Sequence, residues 1–148
     1  MDLGEHAKPI EILLVEDSVT DELMAKAAFE YAKAAIHLHV VDNGMDAIAF
    51  LRHEGPHANA PGVHLILLDL NLPKKNGQEV LAEIKADEQL RTSPVVVLTS
   101  SQAEADILQA YGLYANCYIT KPMDLAGFAE VIRAIEHFWF AVVSLPQR

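Results

Sequence analysis

Val63-His64-Leu65-Ile66-Leu67-Leu68-Asp69-Leu70-Asn71-Leu72-Pro73 is an apolar run that stops on an acid. Its Leu and Ile residues do not alternate with polar ones, as they would in a strand with one wet face. A near-continuous apolar strand belongs to a parallel sheet covered on both faces. The run therefore predicts a central parallel strand over 63–68, with Asp69 where the chain leaves the sheet.

Working outward, 10–15 and 95–98 have the same Val/Ile/Leu character, and 116–119 is a shorter strand candidate. In 37–41, His37 and His39 alternate with Leu38 and Val40, which suits an edge strand. Helical stretches separate these strands. Ser18-Val19-Thr20-Asp21 fits a variant capping box, followed by Met24, Ala28, Tyr31 and Ala35 at helical spacing. Asn43-Gly44 opens a second helix through Ala47, Phe50 and Leu51. Gly77 begins a third, with Val80, Leu81 and Ile84 on one face. Ser101-Gln102-Ala103-Glu104 starts a fourth that ends at Gly112. Asp124 caps a fifth whose buried stripe is Phe128, Val131, Ile132 and Ile135. The order is (βα)5, which predicts a doubly wound α/β fold with right-handed crossovers. The segment 54–62, with Gly55, Pro56, Pro61 and Gly62, reads as a surface loop.

Composition bounds the function. The chain has 148 residues, 51% of them hydrophobic, which suffices for one packed core. Net charge is −10, from 21 acidic against 11 basic residues. Nucleic-acid binding needs Lys and Arg to neutralise phosphates, so a nucleic-acid partner is not expected. The same charge disfavours anionic lipid surfaces, and no apolar stretch reaches the roughly 18 residues of a membrane span. Residues 1–8 lack the form of an export signal, and the lone Cys117 excludes an internal disulfide. A cytoplasmic location is the expectation. Cys117 itself reads as a small buried hydrophobe.

In open α/β sheets, ligands collect outside the carboxyl ends of the strands. There the first strand runs into Glu16-Asp17, the third into Asp69, the fourth into Thr99-Ser100-Ser101 and the fifth into Thr120-Lys121-Pro122. Three acids, hydroxyls and a lysine on one rim suit a cation and a phosphate. Clustered carboxylates repel one another unless a cation offsets them. A hard cation such as Mg2+ takes one or two carboxylates plus a phosphate oxygen. An aspartate is also an established covalent nucleophile for phosphoryl transfer.

These motifs carry a family resemblance. Ile12-Leu13-Leu14-Val15-Glu16-Asp17, Asp69-Leu70-Asn71-Leu72-Pro73 with Asn76-Gly77, Leu98-Thr99-Ser100, and Tyr118-Ile119-Thr120-Lys121-Pro122 resemble the receiver domains of two-component response regulators. The resemblance covers about 10–137. It implies a flavodoxin-like three-layer sandwich with strand order 2-1-3-4-5. It also implies Asp69 as phosphoacceptor and Mg2+ ligand, and Asp17 as a direct Mg2+ ligand. Glu16 would act through a metal-bound water, and the Asn71 backbone carbonyl would complete the protein ligands. Thr99 and Lys121 match the switch hydroxyl and the phosphate-contacting lysine, and Tyr118 the switch aromatic. The side chains of Asn71 and Ser101 match positions that tune the lifetime of the acyl phosphate. The implied donor is a sensor histidine kinase, and the implied output is conformational switching or relay to a downstream phosphotransfer protein. Such a domain catalyses only its own phosphorylation and dephosphorylation.

Duller readings exist for single residues. Glu16 and Asp17 could cap a helix, Tyr118 could be an ordinary strand aromatic, and Asn76-Gly77 reads as a structural turn. Their ordered coincidence at strand ends favours the functional reading. The seven histidines form no helical metal motif, and no Gly-rich nucleotide loop is present. An aspartyl-nucleophile phosphatase of the haloacid-dehalogenase class is the alternative. That class needs a second aspartate two residues after the first, where this chain has Asn71.

The sequence divides into a flexible 1–9, a receiver over 10–137 and an apolar extension over 138–148. The extension holds Phe138, Trp139 and Phe140 and is too apolar for a free terminus. It resembles the extension of receivers serving bacterial phytochromes. The extension could fold back on its own helices, but its aromatic content favours a homodimer arm, and a bacteriophytochrome kinase is the expected partner.

Overall fold

The computed structural model describes residues 9–30, 35–99, 102–110, 112–113, 115–120, 126–127, 129 and 132–133. Five strands form one sheet: β1 (Ile10–Val15), β2 (Ile36–Val41), β3 (Leu65–Asp69), β4 (Val95–Thr99) and β5 (Cys117–Thr120). Their order is β2-β1-β3-β4-β5, and every neighbouring pair is parallel. The helices are α1 (Val19–Phe29), α2 (Gly44–Leu51), α3 (Gly77–Ala86) and α4 (Gln102–Ala110). Ala126, Gly127, Ala129, Ile132 and Arg133 are also helical, within the expected fifth helix.

Each central strand is buried on both faces, as its composition demands. Leu13, Val15, Ile66, Leu68, Val95 and Val97 pack with Ile48 and Phe50 of α2, Val80, Leu81 and Ile84 of α3, and Leu108 of α4. Their sequence neighbours Ile12, Leu14, Leu65, Leu67, Val96 and Leu98 face the other way, onto Ala25 of α1. Ala28 of α1 meets Ala129 and Ile132 in a smaller cluster on that side. The result is three layers with two apolar seams. Fully burying a Leu, Ile or Val contributes roughly 1.5–3 kcal/mol, so these strands carry much of the fold's stability.

Side chains start the helices at the signals read from the sequence. The N–H of Asp21 donates to Ser18 Oγ at 3.2 Å. Asn43 Oδ1 accepts from the N–H of Asp46 at 2.9 Å. Asn76 and Glu79 form a reciprocal capping box, each side chain accepting the other's backbone N–H at 2.9 and 3.1 Å. α4 gives way to Gly112, which adopts φ +73°.

Three expectations need correction. α1 buries Ala25 and Ala28, leaves Met24 half-buried and ends at Phe29, so Ala35 lies in the approach to β2. β3 begins at Leu65 rather than Val63. At His64 the imidazole takes a ladder position: Nδ1 accepts the N–H of Glu11 at 3.0 Å, and the His64 N–H donates to the Glu11 carbonyl at 2.8 Å. Within the loop 54–62, Gly55–His57 form one 3-10 turn. Tyr31, Phe128, Val131 and Ile135 lie outside the described residues.

Candidate functional site

The carboxyl edge of the sheet gathers the acids. β1 ends at Val15, and the Glu16 N–H still donates to the Val41 carbonyl at 3.0 Å. Glu16 is therefore held by the ladder and is only 1% exposed. Its Oε2 accepts the N–H of Ser18 at 3.2 Å, turning the carboxylate toward the start of α1. Asp17 is exposed. Asp69 is the last residue of β3, is 3% exposed, and accepts the N–H of Asn71 on Oδ1 at 3.1 Å. One carboxylate oxygen from each of Glu16, Asp17 and Asp69 lies within 4.8 Å of the others.

That donor set is all oxygen and anionic, with two members buried. It fits a small hard divalent cation, which offsets charges that otherwise repel at this separation.

The loop after Asp69 is held from below. A Cβ on Gly77 would stand 2.4 Å from both the Asp69 carbonyl oxygen and the Leu70 Cα, so only glycine fits there. The Gly77 N–H also donates to the Leu70 carbonyl at 3.0 Å. Gly44 has the same function toward Lys75, whose carbonyl would collide with a Cβ. Lys75 Nζ reaches Glu83 Oε1 at 2.6 Å, and Lys74 adopts φ +64°. These contacts give the loop a defined shape.

Beside Asp69, Thr99 ends β4 and is 1% exposed. Its hydroxyl donates to Glu104 Oε1 at 2.8 Å. Sequence reading missed Glu104 as a site residue because an acid in the first turn of a helix normally serves that helix's own end. Tyr118 on β5 is half-buried. Its hydroxyl accepts the N–H of Ala115 at 2.9 Å and donates to the Leu113 carbonyl at 3.2 Å. A cleft between Asn71 and α4 is lined by Leu70, Glu104, Ile107 and Leu108. Ser100, Ser101, Lys121, Pro122, Phe138, Trp139 and Phe140 lie outside the described residues.

Parallel doubly wound topology, with an aspartate ending the third strand amid two further acids, defines an α/β module with an acidic, cation-binding type of site at its sheet edge. Comparison with known proteins makes this specific. The response regulator receiver domain family model matches residues 12–133, and the chain belongs to that family. It is 44% identical to Response regulator Rcp1 of Synechocystis sp., over 96% of this chain and 97% of that protein. Among solved structures it resembles the phosphorylated cyanobacterial phytochrome response regulator RcpA, with 46% identity, 95% and 100% coverage and a TM-score of 0.84. The Mn2+-bound form of Rcp1 matches with 45% identity, 94% and 100% coverage and a TM-score of 0.82. The chain is a signalling receiver homologous to phytochrome response regulators, and family members accept phosphate from histidine kinases. The dehalogenase-class alternative has no support. Among the described residues no helix is long and apolar enough to cross a membrane.

Proposed function

We propose that Asp69 is the phosphoacceptor of this receiver and takes its phosphoryl group from the phosphohistidine of a phytochrome-class kinase. The observation that carries this is the meeting of Glu16, Asp17 and Asp69 oxygens within 4.8 Å at the sheet's carboxyl edge. An Asp69 oxygen attacks phosphorus, a P–O bond forms, the P–N bond breaks, and the imidazole leaves with a proton. The Asn71 N–H, donating to Oδ1, helps fix the orientation of the carboxylate.

Asp17 and Asp69 directly, Glu16 through water and the Asn71 carbonyl would hold Mg2+. When bound, the ion supplies positive charge against the phosphoryl oxygens, where electrostatics dominate the barrier. Lys121 pairs with the phosphoryl group and Thr99 donates to it, after which Tyr118 moves inward. The phosphorylated state signals through a shifted surface or onward relay in the cytoplasm. Residues 10–137 act as the receiver. Phe138, Trp139 and Phe140 form a homodimer arm, which light scattering on a chain ended at His137 reads as a loss of mass.

Incubation with acetyl phosphate and Mg2+ tests the central assignment. Wild type becomes labelled and Asp69→Asn does not; equal labelling of both refutes it.

A further inference from the structure

We infer that Glu104 is a positioning residue that latches Thr99 in the resting state, and that phosphorylation must break this latch. The inference rests on Asp69 and Thr99 having the functions proposed above.

A threonine hydroxyl has one hydrogen to donate. In this structure the Thr99 hydrogen goes to Glu104 Oε1 at 2.8 Å. A phosphoryl group on Asp69 offers oxygens that act as strong acceptors, as a carboxylate does. Two acceptors then compete for one donor, so the Thr99–Glu104 and Thr99–phosphoryl bonds exclude each other. Because Thr99 is only 1% exposed, the exchange takes place away from bulk water, where each bond is worth more.

The latch ties a strand end to a helix. Glu104 lies in the first turn of α4, and the next residue, Ala105, together with Leu108, is packed in the protein interior. Glu104 and Asn71 also line the same cleft, so the phosphoryl charge arrives on the carboxylate's side of the sheet edge. Losing the Thr99 hydrogen bond while gaining an anionic neighbour drives Glu104, and with it the first turn of α4, away from Asp69. The phosphorylation-competent population is therefore held down by the latch, and the apparent reactivity scales with that population.

Both residues make additional contacts, so a double-mutant cycle is the required test. The initial rate of labelling by acetyl phosphate with Mg2+ is measured on the full chain for wild type, Glu104→Ala, Glu104→Gln, Thr99→Ala and the Thr99→Ala/Glu104→Ala pair. A hydrogen bond to a charged group is strong enough that Glu104→Ala should label about tenfold faster. Glu104→Gln keeps an acceptor oxygen and should stay within about threefold of wild type. In the Thr99→Ala background, Glu104→Ala should change the rate by less than about twofold. Circular dichroism verifies that each variant is folded; if the alanine variant is not, Glu104→Leu, which fills the space without an acceptor oxygen, replaces it and should likewise label about tenfold faster. An unaltered or slower rate for Glu104→Ala overturns the latch, as does an equal acceleration without Thr99. If wild type itself takes no label, the phosphoacceptor reading falls first and the latch with it. Labelling of wild type but not Asp69→Asn, with no gain from Glu104→Ala, removes the latch alone.

Discussion

Gly77 lies directly beneath Asp69: a methyl group at residue 77 would occupy space 2.4 Å from the Asp69 carbonyl oxygen. The obstacle is backbone, which cannot swing aside as a flexible side chain would. Gly77→Ala must push the start of α3 away from the end of β3 and shift the loop that carries Asn71. Overpacking commonly costs about 1–3 kcal/mol, and this contact belongs at the upper end. Urea unfolding should show a loss of about 3 kcal/mol, together with much reduced acetyl-phosphate labelling. A variant with wild-type stability would mean the close approach is not maintained.

The two acids at the end of β1 should differ in their response to the cation. Asp17 is exposed and Glu16 is 1% exposed with Oε2 bound to the Ser18 N–H. On the proposed division, with Asp17 ligating directly and Glu16 through water, Asp17→Asn should weaken Mg2+ binding at least about tenfold, and Glu16→Gln by less. Titration calorimetry gives both constants. Chelation with EDTA should abolish labelling of wild type. A larger loss in Glu16→Gln would reverse the proposed division between them.

What the sequence revealed and what it hid follow from the range of the interactions. β3 and Asp69 were legible because burial on both faces leaves a local mark, an unbroken Leu/Ile run ended by an acid. The caps at Ser18, Asn43 and Asn76 were legible for the same reason, since each acts within three residues. Gly77 could be read as a turn residue, but its approach to Asp69 is tertiary and leaves no pattern. The Thr99–Glu104 bond was hidden because an acid after Ser101 reads equally well as a helix-start signal. The α1 stripe is legible only in part: Ala28 is buried as its spacing predicts, whereas Ala25 is small and gives a weak amphipathic signature. His64 was assigned to a strand by its neighbours, whereas its side chain substitutes for a ladder acceptor.

Asp87 gives a pH-dependent prediction. The Gln89 N–H donates to its carboxylate and is the main cause holding its pKa below the ordinary 3.8. The Leu90 N–H and Arg52 act in the same direction, while partial desolvation opposes them. A carboxyl whose folded pKa is depressed stabilises the fold above its unfolded pKa and ceases to do so as pH falls through the folded value. Asp87→Asn should therefore lower the urea midpoint by a constant amount from about pH 8 to 5. Below 3.8 the difference should shrink, and it should vanish once the folded carboxyl is protonated. A gap that stays constant into that acid range would assign the loss to geometry rather than charge.

Glu11 separates stability from signalling. It lies opposite His37 in the β1–β2 register, and its two oxygens meet His37 Nδ1 at 3.0 Å and His39 Nε2 at 2.7 Å. The three side chains share one face of the edge pair, and His39 continues the contact into Phe50, with ring centroids 5.3 Å apart. Five residue steps along the strand take Glu11 to Glu16, about 16 Å at the usual rise, so the cluster is remote from the acidic site. Partly exposed pairs of this kind contribute about 1 kcal/mol or less. Glu11→Ala should therefore destabilise the protein by about 1 kcal/mol in urea unfolding. Its labelling rate with acetyl phosphate and its Mg2+ affinity should equal wild type. A matched fall in labelling would show that the β1–β2 edge communicates with Asp69 along β1.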